Sequence, residues 1–222
     1  MVVAAGLGTR LAAGEPKALV PIDGTPMLAI GIGAALMSPV ISGVVVAAPP
    51  GTEDQVRALL SSMGAPIVVV TGGATRQGSV ACALDAVPDD TEIVAVHDAA
   101  RPFASAELFS AVVEAVVDGA DAAVPVVAPV DTVKRVRDGL IVGTELRDGL
   151  GLAQTPQASR IAVLRDAMAK AVESGLEFTD DAGLLEWAGV TVRAVAGEPG
   201  NFKITTSLDL ARADQTARST RG

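Results

Sequence analysis

Short, β-branched apolar runs alternate along the chain with longer stretches in which apolar residues return every three or four positions. The runs Val2–Ala5, Gly43–Ala48, Pro66–Val70, Glu92–His97 and Ala122–Val127 predict strands. The periodic stretches Pro26–Met37, Thr52–Ser62, Gln77–Val87, Ala106–Val117 and Arg160–Ser174 predict helices. Strands separated by helices pair in parallel, and several of these runs are apolar at every position, as strands covered on both faces must be. The expected fold is α/β: a mainly parallel sheet between two layers of helices. Few residues precede Gly6, whereas a central strand usually has about five or six. Either residues precede this strand in the natural chain or the strand is truncated.

Two segments break the alternation. Between Ala128 and Gly151, Val-rich stretches flank Asp138-Gly139, a dipeptide suited to a tight hairpin turn. This predicts a β-arm over residues 128–151 that projects from the sheet. A lone two-stranded ribbon is rarely stable in water, so the expected partner of the arm is a second copy of the chain, in a homodimer. The polar residues 213–222 are expected to fray. No repeat or linker calls for a second domain, and residues 1–222 read as one.

Composition then narrows the function classes. A chain of 222 residues can bury a sizeable core, and with 50% apolar but only 2% aromatic residues that core must be built from Ala, Val, Leu and Ile. No apolar run approaches the roughly 20 residues that span a bilayer, and the opening MVVAAGLGTR lacks the pattern of a secretory signal. The lone Cys82 can form neither an intrachain disulfide nor a zinc cluster, so a reducing cytoplasm is the expected setting. A net charge of −9 argues against nucleic acid or an anionic membrane as partner. Small anionic substrates stay open, because a few convergent Lys and Arg side chains with magnesium can hold a triphosphate.

Candidate chemistry begins where the first strand ends. Ala4-Ala5-Gly6-Leu7-Gly8-Thr9-Arg10 lies at the edge where an open α/β sheet binds ligands. Gly6 and Gly8 let backbone N–H groups approach phosphate, Arg10 offers a planar fork of donors, and Lys17 adds a compact cation after Pro16. A dinucleotide fingerprint would need glycine at Leu11, and a P-loop would need Gly-Lys-Ser/Thr where Pro16-Lys17-Ala18 stands. A solvated Gly-rich turn is the bland alternative. Asp98 ends an apolar strand at the same edge, where a carboxylate can hold magnesium, its water or a sugar hydroxyl; a structural ion pair with Arg101 is the competing reading. Arg101 itself reads as fixing its loop. His97, the one histidine, alternates to the opposite side of the strand and reads as structural. Ser79, after Gly72-Gly73, reads either as a base-reading hydroxyl or as part of a helix start, and Thr179-Asp180-Asp181 as a helix N-cap.

Ala4–Arg10 followed by Pro16-Lys17 resembles the signature of sugar-phosphate nucleotidyltransferases. Gly72–Val80, His97–Pro102, Asp131–Lys134, Gln154–Gln157, Thr179–Ala182 and Asn201–Thr205 stand in the order found in the 2-C-methyl-D-erythritol 4-phosphate cytidylyltransferase family of the non-mevalonate isoprenoid pathway. The match runs from Val2 to Leu210, and six motifs in register are specific where any one is weak. The resemblance implies a three-layer, Rossmann-like nucleotidyltransferase fold and a magnesium-assisted joining of CTP to a sugar phosphate. It assigns catalysis to Arg10, Lys17, Asp98 and Lys203, and cytosine recognition to Ala4, Gly73, Ala74 and Ser79, with Ala5, Gly6 and Gly8 in the nucleotide loop. Thr132 and Arg147 of the arm would reach the neighbouring subunit's sugar phosphate, together with Thr179, Asp98 and Lys203; from spacing alone the first two are exposed arm residues. The sequence departs from the family pattern at Val3, where proline is common, and at Ala74, where an acidic residue is frequent. The rival readings are a ribitol-5-phosphate cytidylyltransferase, whose loop more often reads Ala-Gly-Gly, and a non-catalytic nucleotide-binding regulator. The joint presence of Arg10, Lys17, Asp98 and Lys203 speaks against the latter.

Overall fold

The computed structural model describes residues 1–6 and 16–220. At its centre β1 (Val2–Val3) lies between β4 (Val44–Ala48) and β6 (Ile93–Asp98), and β5 (Ile67–Thr71) extends the sheet beyond β4, all in parallel. On the other side, β11 (Gln157–Arg160) runs antiparallel between β6 and β7 (Ala122–Val127). The short β10 (Leu152–Ala153) prolongs that contact along β7, and β12 (Val192–Ala196) closes the edge in parallel. β1 is two residues long, so the central strand is short, as its sequence indicated.

Every residue of β4 is buried, which explains why it shows no polar alternation. Val44, Val46 and Ala48 pack with Leu28 and Ile32 of α1 (Met27–Met37) and with Val56 and Leu60 of α2 (Glu53–Leu60). Val45 and Ala47 face the opposite layer, where they join Val80 and Leu84 of α3 (Arg76–Leu84), Leu164 and Met168 of α5 (Ile161–Glu173) and Leu184 of α6 (Asp181–Trp187). The helix α4 (Ala106–Val117) covers Ala95 of β6 and Ala123 of β7 on the α1 side. Three layers result, with small Ala and Val side chains at the seams.

The arm is a separate ribbon. Among the described residues, strands β8 (Lys134–Arg137) and β9 (Leu140–Thr144) pair only with each other, in antiparallel register. Asp138 and Gly139 turn the chain with φ of 51° and 77°, both positive as a type I′ hairpin requires. Val136, Leu140, Ile141 and Leu146 are exposed on it. A smaller hairpin, β2 (Pro21–Ile22) with β3 (Thr25–Pro26), lies directly ahead of α1.

The C-terminal segment does not fray as its polarity led us to expect. It forms α7 (Ser207–Thr220), entered through a reciprocal cap in which Asp209 N–H donates to Thr206 Oγ1 and the Asp209 carboxylate accepts from Thr206 N–H at 2.8 Å. Leu210, Ala213 and Ala217 form a narrow stripe against Val20, Ile22, Met27 and Ile204, and Ala213 is fully buried. The stripe is made mostly of alanine, so hydrophobicity alone did not reveal it. Ala213→Asp, which puts an unpaired carboxylate into this cluster, is expected to cost about 3 kcal/mol, read as a lowered urea midpoint. A midpoint unchanged within error would mean that the helix is not docked.

Candidate functional site

The parallel strands β1, β4 and β6 end together, and a cavity of about 370 Å³ opens over their carboxyl ends. β1 runs straight into Ala4-Ala5-Gly6, with Ala4 N–H still bonded to Ala47 O at 2.9 Å. The opposite wall is the Gly72-Gly73 turn that leads into α3. A Cβ on Gly73 would lie 2.6 Å from the Gly78 backbone carbon, so only glycine lets the turn fold this tightly onto the helix. Thr75 caps that helix by accepting from Gly78 N–H at 3.0 Å. Ser79 is buried and donates to Thr75 O at 2.8 Å, which leaves its oxygen as an acceptor.

Of the residues singled out in the sequence, Ala4, Ala5, Gly6, Lys17, Gly73, Ala74, Ser79, Asp98 and Lys203 all line this cavity. Gly8 and Arg10 lie outside the described residues. Lys17 is placed by a single 3-10 turn, Lys17–Leu19, whose Ala18 and Leu19 are buried beneath it. Ala74 lends no side-chain polar group, so any base contact at that position belongs to the backbone.

The electrostatic centre is Asp98, at the end of β6. Its Oδ1 accepts from Arg76 Nε at 3.0 Å and its Oδ2 from Lys203 Nζ at 2.6 Å. Burial alone would raise this carboxyl, but the charges of Arg76 and Lys203 and the hydrogen bonds from both outweigh it and hold Asp98 well below the usual carboxylate range. Arg76 also reaches back to Asp181 Oδ2 at 2.7 Å. Asp181 is buried; burial raises its carboxyl, with Arg76 pulling the other way. The partner of Asp98 is thus Arg76 and not Arg101, and the sequence reading gave Arg76 no role. Its position at the first turn of α3, directly after the capping Thr75, was the available signal.

A second cavity of about 230 Å³ shares Arg76, Asp98 and Lys203 with the first and adds Arg101, Thr155 and Thr179. Asp180, not Thr179, caps α6, accepting from Gly183 N–H at 3.1 Å, which leaves Thr179 at the cavity wall. Arg101 ties its loop to Asn201 O at 2.8 Å and Ala153 O at 3.3 Å while lining the same cavity. Thr155, with no role in the sequence reading beyond its motif, accepts from Asp98 N–H at 3.0 Å. His97 faces away from both cavities, beside Phe109 of α4. Thr132 and Arg147 line neither cavity; Arg147 Nη1 instead donates to Val130 O across the base of the arm. One chain therefore does not bring these two residues to the site.

Burial pushes the His97 imidazole down to about 4, against the pull of Asp98 and the hydrogen bond with the Arg101 carbonyl. The folded state then binds fewer protons than the unfolded chain as pH drops below about 6.5, so stability falls with pH through that window. The expected loss between pH 6.5 and 4 is about 3 kcal/mol. Asp98 contributes in a lower window, because its depressed carboxyl loses its stabilisation only below the unfolded value near 4. Urea unfolding measured across pH 4–7 should show a steeper slope in the native protein than in His97→Gln, where the buried Met1 amino group, lowered to about 6, still contributes above pH 6; equal slopes would show that His97 does not stay neutral.

Residues 1–219 match the family model described as IspD, 2-C-methyl-D-erythritol 4-phosphate cytidylyltransferase. A relative of that name from Frankia casuarinae is 47% identical over 215 residues, covering 96% of this chain and 79% of its own length. One from Corynebacterium diphtheriae is 41% identical over 220 residues, covering 96% and 90%. The crystal structure of the Thermus thermophilus enzyme of that name superposes with a TM-score of 0.81 at 38% identity, over 98% of this chain and 97% of the other. Anaerococcus prevotii 4-diphosphocytidyl-2C-methyl-D-erythritol synthase gives 0.85 at 30% identity, over 98% and 96%. Sequence and fold thus agree that this chain belongs to the 2-C-methyl-D-erythritol 4-phosphate cytidylyltransferase family.

Proposed function

We propose that the chain condenses CTP with 2-C-methyl-D-erythritol 4-phosphate, giving 4-diphosphocytidyl-2-C-methyl-D-erythritol and pyrophosphate, in the cytoplasm and as a homodimer. The observation that carries this reading is the pair of cavities with a common wall of Arg76, Asp98 and Lys203. The larger is of a size usual for small-molecule sites and is bounded by the glycine turn and Lys17. The smaller offers Arg101, Lys203 and the hydroxyl of Thr179 as donors suited to a phosphorylated polyol, with Thr155 in the same wall.

In the reaction an oxygen of the sugar phosphate attacks the α-phosphorus of CTP. One P–O bond forms, the bond between the α-phosphorus and the bridging oxygen to the β-phosphate breaks, and its electron pair leaves with pyrophosphate. A phosphate monoester is largely dianionic at neutral pH, because its second pKa is near 6, so no general base is needed to activate it. The barrier lies in bringing two anions together in line, and catalysis must come from neutralisation and alignment. Lys17 and Lys203 supply positive charge at the cavity walls, and Arg10 would add to it from the loop after Gly6.

Magnesium fits as an ion held partly by the substrate. Among the described residues no cluster of three His, Cys, Asp or Glu side chains could hold a metal alone. Magnesium keeps several waters and relies on one or two carboxylates plus substrate phosphates. Asp98 would hold it, through water because both carboxylate oxygens already meet cations, and the bound ion would neutralise charge on the triphosphate. Exposed Val136, Leu140, Ile141 and Leu146 on the arm support the homodimer, since among the described residues no element of the same chain covers them. No helix among the described residues is long and apolar enough to cross a membrane.

Pyrophosphate release from CTP, with methylerythritol phosphate and ribitol 5-phosphate supplied separately, tests the reaction. Turnover with the first and at least about 100-fold less with the second is expected, a discrimination within reach of a site that hydrogen-bonds its polyol. Preference for ribitol phosphate, or no turnover with either, would remove the reading.

The shared site has its own test. Lys17→Ala and Arg147→Ala should each lose roughly 100-fold or more in turnover. Mixed and allowed to exchange subunits, the two variants should recover part of the activity, since one composite site of the heterodimer is intact. No recovery after verified exchange would confine the site to one chain.

A further inference from the structure

Three segments that build the second cavity meet at a ring that lines neither cavity. His97 is 1% exposed; its Nε2 lies 2.9 Å from Arg101 O and its Nδ1 3.1 Å from Thr155 Oγ1. Thr155 Oγ1 in turn accepts from Asp98 N–H at 3.0 Å. Counting protons gives a single consistent arrangement. The Arg101 carbonyl can only accept, so Nε2 must carry the hydrogen. A neutral imidazole has one N–H, which leaves Nδ1 as acceptor, and the Thr155 hydroxyl, already accepting from Asp98, donates its proton there.

The bonds then close into a ring of contacts. Arg101 Nη1 donates to Asn201 O at 2.8 Å, and Asn201 Nδ2 donates to Thr155 O at 2.9 Å. Asn201 is fully buried and stands two residues before Lys203. The loop after β6, the turn before β11 and the segment before α7 are therefore tied to one another through directional bonds, with His97 at the start and end of the circuit.

We propose that His97 is a positioning residue for the second cavity: as the Nε2–H tautomer it holds Arg101, Thr155 and the Asp98 backbone in register without touching substrate. The proposal rests on the reading that the sugar phosphate occupies this cavity. Arg101 and Thr155 line the second cavity and not the first, so loosening them falls on one substrate more than on the other.

Because His97 is the single histidine, ¹⁵N-labelled histidine reports this ring alone. At pH 7 Nε2 is expected to be protonated and Nδ1 not; the Nδ1–H form would overturn the proposal. His97→Phe keeps a ring against Phe109 and deletes both bonds. It should raise the KM for methylerythritol phosphate roughly tenfold or more and leave the KM for CTP within about threefold, with His97→Gln recovering part because its amide can donate to the Arg101 carbonyl. Equal changes in both constants, or none, would overturn the positioning role. If the Phe variant does not fold, titrating the native protein decides: methylerythritol phosphate should move the Nδ1 signal, and an unmoved signal counts against the proposal. Thr155→Val separates the two readings. A native KM for methylerythritol phosphate in that variant removes the assignment of the cavity, whereas a raised value beside an unchanged His97→Phe removes only the positioning role.

Discussion

A carboxylate in the wall of a cavity meant for phosphates repels its own ligand unless cations answer it. Asp98 and Asp181 bring two negative charges beneath the two cavities, and Arg76 and Lys203 bring two positive ones, so the four groups cancel. The cancellation is uneven in mobility. Arg76 keeps 21% of its side chain exposed and is anchored to the buried Asp181, while Lys203 keeps 43% exposed. Removing one partner of a buried pair strands the other charge, whereas a half-exposed ion pair is worth little. Lys203 is therefore the cation freer to turn toward a phosphate in the proposed reaction, because Asp98 keeps Arg76 when it does, whereas Arg76 leaving would strand Asp181 as well. With these four groups balanced, a triphosphate bound as the proposed function requires would need further positive charge, and Lys17 stands at the wall of the first cavity.

The same economy appears in the wall built by the glycine turn. The Gly72-Gly73 turn presses against Ala5, Gly78 and Ser79, and the Ser79 hydroxyl lies 3.3 Å from Gly73 O as it donates to Thr75 O, so this wall is fixed before any ligand arrives. Donors preorganised in this way need no reorganisation on binding. Ala74 lines the cavity with a methyl group and its own peptide, and brings no side-chain polar atom to it. Recognition of cytosine within the proposed function then rests on peptide groups and Ser79, which a side-chain change at position 74 leaves untouched.

Much of this was legible in the sequence where one residue type answers to one force. Apolar runs such as Val44–Ala48 could only be strands buried on both faces, and the two glycines at 72 and 73 could only mark a tight turn. Asp138-Gly139 announced its hairpin by demanding two positive φ angles. What stayed hidden was decided by neighbours. The strand β11, Gln-Ala-Ser-Arg, has no β-branched or alternating signal and is a strand because β6 and β7 leave it a slot with partners on both sides. The α7 stripe is mostly alanine, visible only once the cluster it completes is known. Arg76 drew no reading of its own; what fixes it is Asp181, 105 residues away, which no local pattern connects to it. Long-range charge pairing is the property least recorded in local sequence.

The second cavity also bears on why the proposed enzyme would need two chains. Its cations are already engaged: Arg76 bonds to Asp98 and Asp181, Arg101 donates to the Asn201 and Ala153 carbonyls, and Lys203 donates to Asp98. Among the described residues of that wall, Arg76 and Lys203 are paired with carboxylates and Arg101, bonded to neutral carbonyls, keeps its charge, so the dianionic phosphate of the proposed reaction would call for a further cation. The arm carries Arg147 on a ribbon that the parent chain leaves uncovered, with apolar Leu140 and Ile141 exposed beside the basic Lys134, Arg135 and Arg137. Apolar surface at the arm would drive association, as burial of such surface does generally. A cation delivered by that same association would reach the phosphate only in the dimer. In that arrangement the substrate pocket is completed by assembly, and the acidic chain, at −9 overall, concentrates positive charge where two copies meet a single substrate.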